Sequence, residues 1–313
     1  MTLVAEIPPP PLPWRRLAGL LRPLWRGTAA MVALSVGGVL VGLVPPLALG
    51  VLVNALVDRN DRREAALLAV LIALATLVEA GLYIASDGLY ARNAGRLYRN
   101  LRLAMFEGAL ARARRGEDTT GLPSRFISDA ETLERATLSI LDTGAMLAVE
   151  FVSALVALGT LEPWTLPVVA PILLLTWILT RRMQQPAAVA GQRRQEELET
   201  MTRALVDELD NGDDPAAPAR FRVAAERVLG AEIRYGWLQA FNLQGSGGLA
   251  KLAPIAVVVA AAFAGSHQAG TLISIYLLAQ RAFLGFDGVV DLSLGTQSIR
   301  GAVARCLELV DER

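Results

Sequence analysis

Lysine, histidine and cysteine occur once each, as Lys251, His267 and Cys306. A single cysteine excludes an intrachain disulfide and a thiolate metal cluster of the usual spacing, so Cys306 reads as a packing residue. A single histidine leaves no Ser-His-Asp or Cys-His constellation to assemble, because His267 sits in a short turn between Ser266 and Gln268, where a solvated side chain is expected. A phosphate-cradling loop needs a Gly-Lys pair followed by Ser or Thr. Lys251 instead follows Gly247, Gly248, Leu249 and Ala250 inside an apolar run, so the sequence holds no loop of that kind to bind ATP. No cofactor or metal is expected in this chain itself. Charge is scarce too: 19% of the 313 residues are charged against 53% hydrophobic, formal net charge is zero and mean hydropathy is +0.42. Polar surface is too small to cover a water-soluble chain of this size, so a lipid bilayer is the expected solvent, and nothing in the charge pattern suits nucleic acid.

What is present is a series of long apolar runs. A membrane span needs about 20 mostly apolar residues, and six candidates lie at 28–57, 65–85, 138–161, 164–179, 249–264 and 271–294. The connections alternate. Those at 58–64, 161–163 and 265–270 are short, whereas 86–138 and 180–248 are long and rich in arginine, with nine arginines from Arg92 to Arg135. The positive-inside bias places both long segments and both termini in the cytoplasm, with the chain in the cell (inner) membrane. Neither long segment has a loop composition. Residues 89–113 are rich in Ala, Leu and Arg with no proline, and 193–209 continue a helical pattern, so helices two to five are expected to run about 25 Å beyond the membrane. At the N-terminus, residues 1–13 read as a disordered proline-rich tail. Residues 14–27 read as an interfacial elbow helix, with Trp14, Leu17, Leu20, Leu21 and Leu24 on one face bordered by Arg15, Arg16, Arg22 and Arg26.

Charges inside the spans are costly and must face a cavity or one another. Glu79 and Glu150 are the deepest acids, and Lys251, near the start of helix five, is the cation expected to pair with one of them. Structural pairing and substrate binding both account for this trio. Asp87 with Arg92, and Arg281 with Asp287 and Asp291, are expected at interfacial ends in a snorkelling or structural role.

Three local patterns then carry a family resemblance. Pro45 and Pro46 open a run that closes through Leu52, Asn54, Ala55, Leu56, Val57 and Asp58; Gly121, Leu122, Pro123, Ser124, Arg125, Phe126, Ile127, Ser128 and Asp129 form a helix-breaking segment; and 302–311 make an exit segment. Together with the alternation of short and long connections, they resemble the transmembrane domain of ATP-binding cassette exporters (type I exporters, or type IV ABC transporters), from about residue 14 onward. That resemblance implies an all-α membrane protein of six transmembrane helices with two long cytoplasmic hairpins, one domain over 14–313, a dimer with a second copy or a homologous chain, and contact with membrane lipid. It implies that Leu122, Ser124, Arg125, Phe126 and Asp129 couple to a separate nucleotide-binding subunit, through which alone ATP would act. In residue terms, Gly121 and Pro123 break the helix, Arg125 and Asp129 lie one turn apart, and Leu122, Phe126 and Ile127 give the short helix an apolar side that needs a partner.

One region departs from the family pattern. The second hairpin tip reads Glu208 to Pro218, with Asp210, Asp213 and Asp214 making it acidic and Pro215 and Pro218 interrupting a coupling helix. Two functions therefore stand. One is a permease subunit moving an amphiphilic or peptide-like substrate by alternating access. The other is a cassette-free membrane enzyme or binding scaffold of the same fold, with Glu79 and Glu150 as acid and base.

Overall fold

In a computed structural model the chain is described over residues 19, 21–116, 130–210, 216–265, 268–298, 303 and 306. The described residues are helical throughout, with no strand among them. After a 3-10 turn at Arg22–Leu24 come α1 (Trp25–Val41), α2 (Val44–Val57), α3 (Arg62–Arg114), α4 (Ala130–Leu161), α5 (Leu166–Asp210), α6 (Ala217–Phe263) and α7 (Ala269–Ser298). Where the described residues reach the expected elbow helix, the 3-10 turn runs straight into α1 at Trp25, so the first apolar helix begins three residues before the span read at 28–57.

That first span is two helices. Pro45 and Pro46 have no N–H, so the carbonyls of Val41 and Gly42 lose the donors that would continue the helix. The backbone tightens instead, with Gly42 N–H bonded to the Gly38 carbonyl at 2.8 Å and Leu43 N–H to the Leu40 carbonyl at 3.2 Å, and α2 restarts with the prolines in its first turn.

Turns bound the other helices. Asn60 adopts φ +52°, a left-handed conformation that asparagine tolerates, and Asp61 then caps α3 by accepting from Arg63 N–H and Glu64 N–H, each at 3.0 Å. Asp61→Ala is expected to cost about 1 kcal/mol, read as faster hydrogen exchange at the Arg63 and Glu64 amides with the rest of α3 unchanged. A 3-10 turn at Pro163–Thr165 joins α4 to α5, and Gly265 (φ +109°) follows α6. Pro218, read as a helix breaker, lies in the first turn of α6, where a missing N–H costs nothing.

Five helical stretches are long and apolar enough to cross a membrane: Arg22–Val57, Arg62–Arg114, Thr137–Leu161, Pro163–Arg182 and Ala269–Leu292. The fifth expected span, 249–264, appears as a shorter apolar stretch, Gly247–Phe263. Large apolar side chains stand exposed along these helices, among them Leu67, Val70, Leu77, Ile84 and Phe263, as lipid-facing surfaces should. α3 is one unbroken helix of 53 residues, about 80 Å long, against roughly 30 Å of hydrocarbon.

α7 is the central element. It packs on α2, α4, α5 and α6, while α1 packs on α3 and α4. The main core is built from Leu158 of α4, Val169 of α5, Val257 and Ala261 of α6, and Ile275, Leu278 and Phe283 of α7. α5 and α6 run antiparallel side by side. Leu179 meets Gly245, Gly191 meets Tyr235, and Arg194 forms an ion pair with Glu232.

Candidate functional site

Four helices bring a charged triad together beside the break in the first span. On α3, Glu79 and Tyr83 are one turn apart and share a face. On α1, Gly38 and Gly42 have the same spacing, and the Tyr83 ring lies against Gly38 so closely that a Cβ there would come within 2.9 Å of it. A Cβ on Gly42 would collide with the Glu79 carboxylate and come within 2.7 Å of the Arg281 guanidinium. Small residues let α4 and α7 approach in the same manner. A Cβ on Gly285 would lie 3.0 Å from Phe151 N, and one on Gly288 2.7 Å from the Leu147 side chain. Glu150 sits between Leu147 and Phe151, and Arg281 one turn before Gly285, so these contacts set the two charges opposite each other.

The geometry is an arginine shared by two glutamates. Arg281 Nη2 donates to Glu79 Oε1 at 3.1 Å, and its Nε lies 3.4 Å from Glu150 Oε1. The three side chains are only 23%, 18% and 19% exposed. Tyr83 interacts electrostatically with all three. Arg281 Nη1 is buried and has no hydrogen-bond partner among the described residues.

Glu79 and Glu150, singled out by their depth in the sequence, are thus brought together. Lys251 is exposed on α6, and the cation between the acids is Arg281. Arg281 was expected at an interfacial end with Asp287 and Asp291; it belongs to the triad instead, because residues six and ten positions apart on a helix do not share its face. Asp87 and Arg92 are both exposed, and Cys306 is buried. The coupling residues Leu122, Ser124, Arg125, Phe126 and Asp129, residues 211–215 of the second tip, and His267 lie outside the described residues.

Two further polar networks were not anticipated. Ser35 donates to Asp142 Oδ1 at 2.7 Å and lies 2.6 Å from the Ser86 hydroxyl, which donates in turn to the Met31 carbonyl at 3.1 Å. Near the far end of α2, Asn54 Oδ1 accepts from Gly270 N–H at 2.8 Å, Asn54 Nδ2 donates to Gln268 at 3.1 Å, and Ser274 donates to the Pro46 carbonyl at 2.8 Å. Serines within apolar helices and the Gly38-x-x-x-Gly42 spacing are the sequence signals that point to these seams.

α5 and α6 carry a groove of about 660 Å³, lined by Pro186, Val189, Arg193, Arg234 and Trp237, among others.

No curated protein matches the chain. The family model described as the ABC transporter transmembrane region matches residues 28–211, which covers α1 to α5 and includes Glu79 and Glu150. With that match over more than half of the chain, together with its long apolar helices, the chain is a multi-pass membrane protein that belongs to the ABC transporter transmembrane region family.

Proposed function

We propose that the chain is the membrane-spanning permease subunit of an ABC-type exporter, which moves an amphiphilic or peptide-like cargo by alternating access while a partner chain hydrolyses ATP. In this reading the chain has six spans, with Gly247–Phe263 as the fifth, and the positive-inside bias supports both termini and the arginine-rich helix extensions on the cytoplasmic side of the cell membrane. The observation that carries this reading is the length of α3, α5 and α6, of 53, 45 and 47 residues. Each is more than twice what a bilayer requires, and helices extended so far from the membrane have a use when something at their tips drives them. The paired α5 and α6 expose Val189, Ile233, Trp237 and Phe241, apolar surface that a second copy would cover. The cassette-free enzyme reading loses ground at its own residues. Glu79 and Glu150 share one guanidinium, and a Cβ on Gly42 would already collide with Glu79 and Arg281, so the chain's own side chains fill that side of the site and leave no room there for a substrate between the two carboxylates.

Tagged chain extracted from its native membranes should bring down an ATP-hydrolysing polypeptide, and cargo should stimulate that hydrolysis. Arg125→Ala with Phe126→Ala should cut the captured ATPase by an order of magnitude while the chain still dimerises. Capture of no ATPase, with product formed from a lipid-like or peptide substrate in the absence of ATP, would overturn the proposal in favour of the enzyme.

A further inference from the structure

We infer that the Glu79–Arg281–Glu150 triad is an exchangeable proton site within the membrane. The first argument is charge. Two carboxylates and one guanidinium leave one negative charge in excess, at side chains 18–23% exposed, and an uncompensated charge at membrane depth costs at least a few kcal/mol. Among the described residues no other element supplies the missing positive charge. Within the apolar spans α1 and α2 bring no cation, Arg26 lying at the first turn of α1; α3 brings Glu79 and Tyr83, with Asp87 two turns on and exposed; α4 brings Glu150 with Asp142 two turns away; and Arg181 and Arg182 of α5 are exposed. From α7 come Arg281 and, six residues on, Asp287, while Lys251 of α6 is exposed.

The second argument is space. At Gly42 even a methyl group would collide with Glu79 and Arg281, so on that side a cationic group has no room against the carboxylates, and a proton needs none. The third is an unused donor. Arg281 Nη1 is buried without a partner among the described residues, so the guanidinium holds each carboxylate through one nitrogen. When a proton adds to one oxygen of Glu150, that carboxyl becomes neutral, no other bond breaks, and the fork can turn both Nη atoms onto Glu79, giving a neutral, bidentate pair. Loss of the proton to water reverses the step.

A polar seam leads to the site. Ser35, Gly38 and Gly42 lie along one face of α1, Glu79, Tyr83 and Ser86 along one face of α3, and Asp142 and Glu150 two turns apart on α4. Asp142, hydrogen-bonded through Ser35 to Ser86, thus stands roughly 11 Å from the triad along the helices, with Tyr83 between them.

Infrared difference spectroscopy of the full chain in lipid nanodiscs, titrated with acid, tests the site without cargo or ATP. A protonated-carboxyl C=O band equivalent to one group per chain should grow in between about pH 8 and 6, above the range in which solvated carboxylates protonate, and shift in heavy water. Either Glu79→Gln or Glu150→Gln alone should abolish it, since one carboxylate with one guanidinium is already neutral. A wild-type chain with no such band over the pH range in which it stays folded would overturn the site, whatever the variants do. So would a band that survives in both variants. The permease reading is untouched by either result, because it is tested by ATPase capture.

Discussion

Arg281→Gln is expected to be the most damaging single substitution among the described residues, lowering stability by about 3–5 kcal/mol, because it leaves Glu79 and Glu150 facing each other with no cation between them. Removing one partner of a buried pair exposes the full desolvation cost of whatever remains. The Arg281→Gln/Glu79→Gln/Glu150→Gln triple variant should recover most of the loss, since replacing all charged partners together leaves nothing uncompensated. Thermal unfolding of detergent-purified protein, followed by size-exclusion chromatography, reads both. A single variant as stable as the wild type would show that the triad holds nothing together. Arg281→Lys should fall between the two, because a point charge cannot divide a planar fork between two carboxylates.

Gly270→Ala is expected to cost about 3 kcal/mol. A Cβ there would run into the Gly50 carbonyl and the Asn54 side chain that accepts from Gly270 N–H, and Gly50 meets the Gly270 carbonyl in return. Backbone against backbone cannot give way as a flexible side chain can, so α2 and α7 would have to separate and lose the Ser274 bond to Pro46 as well. Gly81→Ala is the matched control. Nothing lies within 4 Å of a Cβ at Gly81, and the substitution should be neutral or slightly stabilising. Equal melting temperatures for the two variants would mean that the close α2–α7 contact is not part of the folded protein.

Much of this was legible in the chain. Long apolar runs mark the spans, Pro45 and Pro46 mark the break in the first of them, and an acid inside such a run, as at Glu79 and Glu150, announces a buried charge whatever the fold. The choice of cation was not legible, because pairing depends on how helices distant in sequence are rotated about their axes. Lys251 lies two residues into its apolar run and α6 turns it outward, whereas the Gly285 and Gly288 contacts turn Arg281, ten residues into its own run, toward α4. Asp142 was hidden for another reason. It lies near the start of its span beside Ser139 and Thr143, and its partners are serines, which dilute an apolar run too little to stand out. The short connections at 58–64 and 265–270 followed from the gaps between apolar runs, and the left-handed Asn60 and Gly265 lie within them.

An unbroken rod pinned partway along its length acts as a lever. α3 is held at Glu79, which lies 17 residues from its Arg62 end and 35 from its Arg114 end, arms of roughly 25 and 50 Å. If the triad serves as the fulcrum, a swing of the short arm is doubled and reversed at the long one, and a stroke delivered at the arginine-rich end reaches the Arg62 end halved in travel and correspondingly raised in force.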